Sequence, residues 1–345
     1  MKQMLGLVYL FLALNLVAVQ LHASPDGELR QAQKALNTGD YEKAFPLYID
    51  AAHNKNNPLA TFTIALFYDN GWGRPVDRAE ACRWYEKAAA TTIPAASHFH
   101  GECLVEGTLK SSDYVEAVRS FQQAANLGHY FSLCSLAELY VDGLGVEKNP
   151  AKGITLCQQV AEKGVVPAMT RLGRFYSERN DKTEGNDKTL DYIAAQHWFL
   201  MGAQHRSAES QFRLALMLRD GIGKPIDTHG ATFWFEAAAS QGYTPAYYPT
   251  ATLYFHTPVD PKTGLWTEKN LAKAYLWLSA TLRGAHNADE KPEAQQMLNQ
   301  ILEVMPKTWR PELDAKLTEH FTQYPIKSHY VFPRTNIKIG RSTIN

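Results

Sequence analysis

Two imidazoles and a thiol crowd the six residues HFHGEC, from His98 to Cys103. His100 and Cys103 lie three apart, on one face of a helix with 3.6 residues per turn, a spacing that suits two ligands of a transition metal. A closed zinc site takes four, and no CxxC or HxxxH pair elsewhere in the sequence supplies the others. Glu102 with Glu106, and Glu138 with Asp142, pair carboxylates at helical spacing, as a glycosidase acid and base would be paired; a solvated helix face accounts for them more simply. Nucleophilic catalysis lacks its apparatus, since there is no G-x-S-x-G elbow and no S-x-x-K. Gly71 and Gly73 form a Gly-x-Gly ahead of a helix, but the residues before them read as helix rather than strand, which removes the phosphate-cradling arrangement. The sequence therefore predicts no catalytic residue, no metal and no cofactor.

The glycines instead mark repetition. YDNGWGRPVDRAEACRWYEKAAA from Tyr68, YVDGLGVEKNPAKGITLCQQVA from Tyr140 and LRDGIGKPIDTHGATFWFEAAA from Leu218 share one pattern. Its first turn position falls at Gly71, Gly107, Gly143, Arg179, Gly221 and Thr257, at intervals of 36, 36, 36, 42 and 36 residues. A small residue about eleven positions upstream keeps the same rhythm at Ala60, Ala96, Ser132, Ala168, Ser210 and Ala246. The longer interval contains the polar insertion RNDKTEGNDKT, which reads as a surface loop. Each unit predicts two helices: a first with small and apolar residues on one face, as at Ala60, Ile64, Ala65 and Tyr68, and a second with a bulky pair before two small residues, as at Trp84, Tyr85, Ala88 and Ala89. Large side chains need small ones opposite them for helices to approach at interior density. Gly71, Gly107, Gly143 and Gly221, with Gly73, Gly145 and Gly223 two residues on, permit the sharp turn and positive φ of a helix exit.

AELYVDGLGVEKNPAKGI and LALMLRDGIGKPIDTHGATFWFEAAASQG resemble Sel1-like repeats, relatives of the tetratricopeptide repeat, over roughly residues 40 to 285. The resemblance implies an all-α fold, a right-handed α-solenoid of tandem helix-turn-helix repeats with helical caps, acting as a protein-binding scaffold. Exported bacterial members of the family scaffold envelope assemblies, regulate envelope signalling or cell-wall enzymes, support polysaccharide or motility machinery, or aid infection. Some have been labelled β-lactamases, which makes the missing S-x-x-K pertinent. This sequence departs from the pattern where Arg179 and Thr257 replace the turn glycine, Leu104 and Leu218 replace the aromatic before it, and Leu109 replaces the second glycine.

Residues 1–23, MKQMLGLVYLFLALNLVAVQLHA, have one lysine and an apolar core from Leu5 to about Val19, the layout of a secretory signal cut near Ala23. An uncleaved anchor is the competing reading, although the apolar run falls short of the ~20 residues that span a bilayer. Export to the periplasm or beyond gives the four cysteines an oxidising setting. Cys82, Cys103, Cys134 and Cys157 allow one or two disulfides with three pairings, or packing as small apolar residues. The cysteine-rich branch of the family links helices within a repeat at a fixed short spacing that this sequence lacks. With 35 basic and 35 acidic residues the formal net charge is zero, and no basic stripe suggests nucleic acid.

The expected partner is a protein or peptide, with association with envelope or peptidoglycan machinery as one setting. First helices line the concave side of tetratricopeptide-like stacks. Counting the early small residue as one, positions four, seven and eleven should face away from the packed side. They include Phe99, Glu102, Glu106, Ser135, Glu138 and Asp142, then Arg171, Arg174 and Arg213, which predicts a groove acidic first and basic after, with Phe99 and Leu66 as apolar anchors. Residues 24–57 read as a tetratricopeptide-like pair split at Gly39-Asp40, 58–285 as the repeat array and 286–321 as capping helices broken near Pro306. Residues 322–345 read as a basic tail, a disordered terminus or a partner-engaging arm.

Overall fold

In the computed structural model, residues 27–178, 188–257, 266–284 and 287–326 are described, and among them all regular structure is helical. The chain forms two compact units, residues 1–165 and 166–345.

The first unit contains α1 (Gly27–Asn37), α2 (Tyr41–Asn54), α3 (Pro58–Asn70), α4 (Arg78–Ala89), α5 (Pro94–Glu106), α6 (Tyr114–Asn126), α7 (Ser132–Asp142) and α8 (Pro150–Ala161). They pack as consecutive pairs, α1 on α2 through α7 on α8, and each pair packs on the next through α2 with α3, α4 with α5 and α6 with α7. The second unit contains α9 (Val166–Glu178), α10 (Lys188–Gln204), α11 (Ala208–Asp220), α12 (Thr228–Ala239), α13 (Tyr247–His256), α14 (Glu268–Gly284), α15 (Glu290–Val304) and α16 (Arg310–Gln323). Pairs α9–α10, α11–α12 and α13–α14 follow the same rule, and α15 and α16 pack on α14.

Local chemistry sets the boundaries. First helices α3, α5, α7 and α11 end at Gly71, Gly107, Gly143 and Gly221, each left-handed with φ between 67 and 73°. Each glycine amide donates to the carbonyl four residues back, satisfying an end group that the helix leaves open. Across the turn, the amides of Asp77, Asp113, Asn149 and Asp227 donate to the carbonyls of Tyr68, Leu104, Tyr140 and Leu218. The side chains of these same four residues accept from the third amide of the following helix, so each both closes the turn and caps the next element.

The second turn glycines serve a different need. A β-carbon on Gly145 would lie 2.4 Å from the backbone of Tyr114, on Gly73 2.7 Å from Tyr41 Cβ, and on Gly223 3.0 Å from Tyr192 Cβ. Tyr41, Tyr114 and Tyr192 belong to the second helix of the preceding pair, so these glycines let one pair's turn seat against its neighbour. At Leu109, where that glycine is missing, the side chain is exposed and Ser112 Oγ donates to the Val105 carbonyl.

Within each unit, fully buried alanines face fully buried aromatics: Ala60, Ala65, Ala81 and Ala88 pack with Phe67 and Tyr85, and Ala215 and Ala231 accompany Phe235. Burying one such ring contributes about 2–3 kcal/mol. Thr257 departs from the turn pattern: α13 ends there with an extended residue, φ −60° and ψ 136°, rather than a left-handed one. Arg179 and most of the insertion lie outside the described residues. The proposed tail start is also revised, because α16 runs to Gln323, Tyr324 packs over Gly242, and Ile326 packs over Gly284. Residues 1–23 and 327–345, including Lys327, Arg334, Lys338 and Arg341, lie outside the described residues.

Candidate functional site: the first-helix faces

Helix geometry divides the anticipated groove positions by depth. Position eleven is exposed in all six first helices from α3 to α13: Asn70, Glu106 and Asp142 in the first unit, Glu178, Asp220 and His256 in the second. Position seven is half-buried at Leu66, Glu102 and Glu138, and again at Arg174, Leu216 and Thr252. Position four turns inward. Thr63 and Ser135 are buried, contrary to the expectation that this position faces away from the packed side. At Phe99 the ring stacks on Tyr85 at 4.9 Å and lies 6.1 Å from Phe62, so it forms the lip of the core with only partial exposure.

Among the acidic residues of the first unit, Asp69, Glu102 and Glu106 are each engaged by a neighbouring side chain. Arg78 opens α4 and grips both oxygens of Asp69 with one guanidinium nitrogen, while two others reach both oxygens of Glu106 at 3.0 and 3.1 Å. Tyr85 donates to the same Asp69 at 2.9 Å. Burial would release the Arg78 proton, but the two carboxylates outweigh it and hold the guanidinium charged. Arg78 thus fastens the end of α3 to the end of α5, an inter-pair clamp that sequence spacing did not single out. Glu102 lies 3.3 Å from His98 Nε2. Glu138 is half-buried on α7, and Asp142 is the exposed carboxylate at that helix's end.

In the second unit the structure brings together Arg174 and Arg213 with a carboxylate that the sequence reading omitted. Glu178 sits 3.9 Å from Arg174 and 3.6 Å from Arg213, and Glu209 takes a 2.8 Å hydrogen bond from Arg213. The arginine side chains are only 15% and 13% exposed, so they build a knitted polar seam rather than a bare basic patch. Arg171 is half-buried on the same helix as Arg174. Glu178 was legible as position eleven of its helix, but it adjoins the insertion where the repeat register breaks.

The cysteines form two bonds. Cys82 of α4 joins Cys103 of α5, tying one helix pair to the next, and Cys134 of α7 joins Cys157 of α8 within a single pair. Cys103 is therefore committed to sulfur, which dissolves the His100–Cys103 metal spacing; His100 meets Ser120 Oγ at 3.2 Å, and burial lowers its pKa. Among the described residues no group of three or more His, Cys, Asp or Glu is placed to hold a metal, and no helix is long and apolar enough to cross a membrane.

The Sel1 repeat profile matches residues 58–90, 94–129, 131–165, 166–207, 208–243 and 262–281, covering more than half of the chain. A Sel1 repeat protein from Oxalobacter formigenes, seen by crystallography, is similar at TM-score 0.57 and 26% identity, over 74% of this chain and 99% of that one. An exopolysaccharide production negative regulator of Rhizobium meliloti is 27% identical over 200 residues, 55% of this chain and 70% of that protein. One of the same description from Rhizobium leguminosarum bv. viciae is 28% identical over 145 residues, 39% of this chain and 53% of that protein.

Proposed function

We propose, for a chain that belongs to the Sel1 repeat family, that it is an exported, non-catalytic adaptor whose first-helix faces hold a protein partner in the regulation of a cell-envelope process. One observation carries the reading. Position eleven recurs as an exposed polar residue at 36-residue intervals, Asn70, Glu106 and Asp142, on helices whose opposite faces are closed by alanine. A row of this kind offers an extended polypeptide regularly spaced polar contacts, and charges so placed set specificity and association rate more than total affinity. The half-buried Leu66 and the lip of Phe99 supply the apolar contact that a polar row lacks.

Export is supported by the N-terminal apolar stretch followed by polar SPDGELR, and by two buried disulfides of a kind that persists in oxidising compartments. A regulatory role is supported by the two rhizobial relatives, whose names describe negative regulators of exopolysaccharide production. The test is co-purification from envelope extract of the exported chain beside an Asn70→Lys, Glu106→Lys, Asp142→Lys variant of unchanged helicity. Loss of a specific partner from the variant supports the reading, whereas equal recovery by both removes the first-helix face from it. Intact mass of the exported chain tests the compartment: retention of Met1 to Ala23 contradicts a cleaved signal.

A further inference from the structure

His98 and His129 share one serine. His98 on α5 is 4% exposed, and its Nδ1 lies 3.1 Å from Ser132 Oγ, while His129 Nδ1 reaches the same oxygen at 2.8 Å. The two rings are 4.4 Å apart, and His98 Nε2 faces Glu102 Oε1 at 3.3 Å. Ser132 is fully buried at the start of α7, and His129 lies in the turn between α6 and α7. The chain of groups therefore joins the second repeat to the third.

Proton counting fixes its direction. A carboxylate only accepts, so His98 must carry its hydrogen on Nε2, and its Nδ1 is then an acceptor. Ser132 gives its single hydrogen to that nitrogen and must accept from His129 Nδ1–H. The sequence His129 to Ser132 to His98 to Glu102 satisfies every buried hydrogen with both rings neutral. One added proton is absorbed without loss, because His98 Nδ1 can donate to Ser132 Oγ while Ser132 turns its own hydrogen to His129 Nδ1. A second proton makes both Nδ1 atoms donors to Ser132, leaves the Ser132 hydrogen without an acceptor in a buried site, and sets two cations with ring centres 4.4 Å apart beside one carboxylate.

We propose that this relay is an acid-sensitive latch, which holds α5 to the start of α7 while the pair of imidazoles carries at most one added proton and releases that junction when both rings are charged. The groups facing it agree. Glu102 is the carboxylate on α5, the turn brings His129 and the Phe131 ring, α7 brings Ser132, and α6 meets His98 through the Phe121 ring. Burial foremost, then the neighbouring His98, pushes His129 down to about 4, with Glu102 opposing. An imidazole depressed in the folded state contributes stability above its unfolded pKa near 6.5 and loses it as pH falls toward 4. The opening equilibrium at the junction should rise about tenfold or more between pH 7.5 and pH 5, after allowance for the partial exposure of His129. Release would part α5 from α7, the helices that carry Glu102 and Glu138.

The test is hydrogen exchange by mass spectrometry on the full chain at pH 7.5 and 5, corrected for intrinsic exchange rates. Peptides covering 94–106 and 129–142 should lose protection at least tenfold while peptides covering 208–220 do not. His129→Gln, which keeps a donor but cannot titrate, should blunt that loss, and His205→Gln should leave it intact. Acid opening of the same size in His129→Gln, or loss of protection spread equally over both units, overturns the latch. Should His129→Gln fail to fold, the His129 ring resonances of the unaltered chain decide: titration near 6.5 with no local opening contradicts the proposal, and titration well below it with coincident opening supports it.

Discussion

The ring of Phe121 fills the space that a side chain on Gly101 would need. A β-carbon built on Gly101 would sit 2.6 Å from Phe121 Cε1, inside the range that real contacts adopt. Gly173 stands in the same relation to Phe199, at 2.5 Å. The two glycines occupy equivalent places in first helices α5 and α9, facing the aromatic residue of their own second helices. Where the corresponding position is Ala65 or Ala215, the partner sits far enough off to admit a methyl group, and both alanines are fully buried.

Overpacking should therefore be costly at Gly101 in a way that backbone conformation does not explain. Gly101→Ala is expected to destabilise the first unit by about 1–3 kcal/mol, read from urea unfolding followed by hydrogen exchange in α5 and α6. Pairing it with Phe121→Leu should recover part of that loss. Gly39→Ala isolates the backbone term, since Gly39 has φ +75° with nothing within 4 Å of its added carbon; it should cost about 1–2 kcal/mol. Additive effects of Gly101→Ala and Phe121→Leu would show that the ring is not the obstacle.

Both disulfides lie in the first unit, so their removal should be felt there alone. Each closes a loop of a little over twenty residues, with sequence separations of 21 and 23. Such a loop stabilises by about 3 kcal/mol in the chain-entropy account. Replacing Cys82 and Cys103 by alanine should lower the stability of α4 and α5 by that order and spare α11 and α12. Proteolysis under native conditions should then cut between 82 and 103 first.

A carboxylate in the C-terminal cap titrates near neutrality. Burial raises Glu290 at the start of α15 to about 7, against 4.5 for an ordinary glutamate. The folded state therefore binds a proton that the unfolded state has released between those values, and stability falls as pH rises from about 4.5 through 7. Glu290→Gln should flatten this part of the pH profile and raise the melting temperature at pH 8 relative to the unaltered chain. A parallel shift at all pH values would mean that Glu290 is not the titrating group.

Much of the fold was legible because its signal is periodic. The 36-residue spacing of Gly71, Gly107 and Gly143 names the end of each first helix, and positive φ at all three gives the physical reason. The recurring Asp77, Asp113, Asn149 and Asp227 were equally periodic; they went unread because a lone Asp before a helix is common, and only the hydrogen bonds reveal that each also closes a turn. The face itself was harder to read. Position four at Thr63 and Ser135 turned inward because a first helix packs on two neighbours, its own partner and the preceding pair, which leaves a narrower exposed stripe than one contact would. Pairings across helices, such as Arg78 with Glu106 and Glu178 with Arg213, depend on how adjacent pairs dock and have no fixed offset in the chain. The disulfide partners were open for the same reason: one bond crosses between repeats and the other stays within a repeat.

The most direct test of the adaptor account is site-specific photocrosslinking in the native compartment, with the probe placed singly at Asn70, Glu106 and Asp142 on first-helix faces and at Arg83, Gln122 and Thr155 on second helices. The account predicts that one and the same protein is captured from the three first-helix positions and not from the other three. Capture confined to Arg83, Gln122 and Thr155, or no capture from any first-helix position, would contradict it.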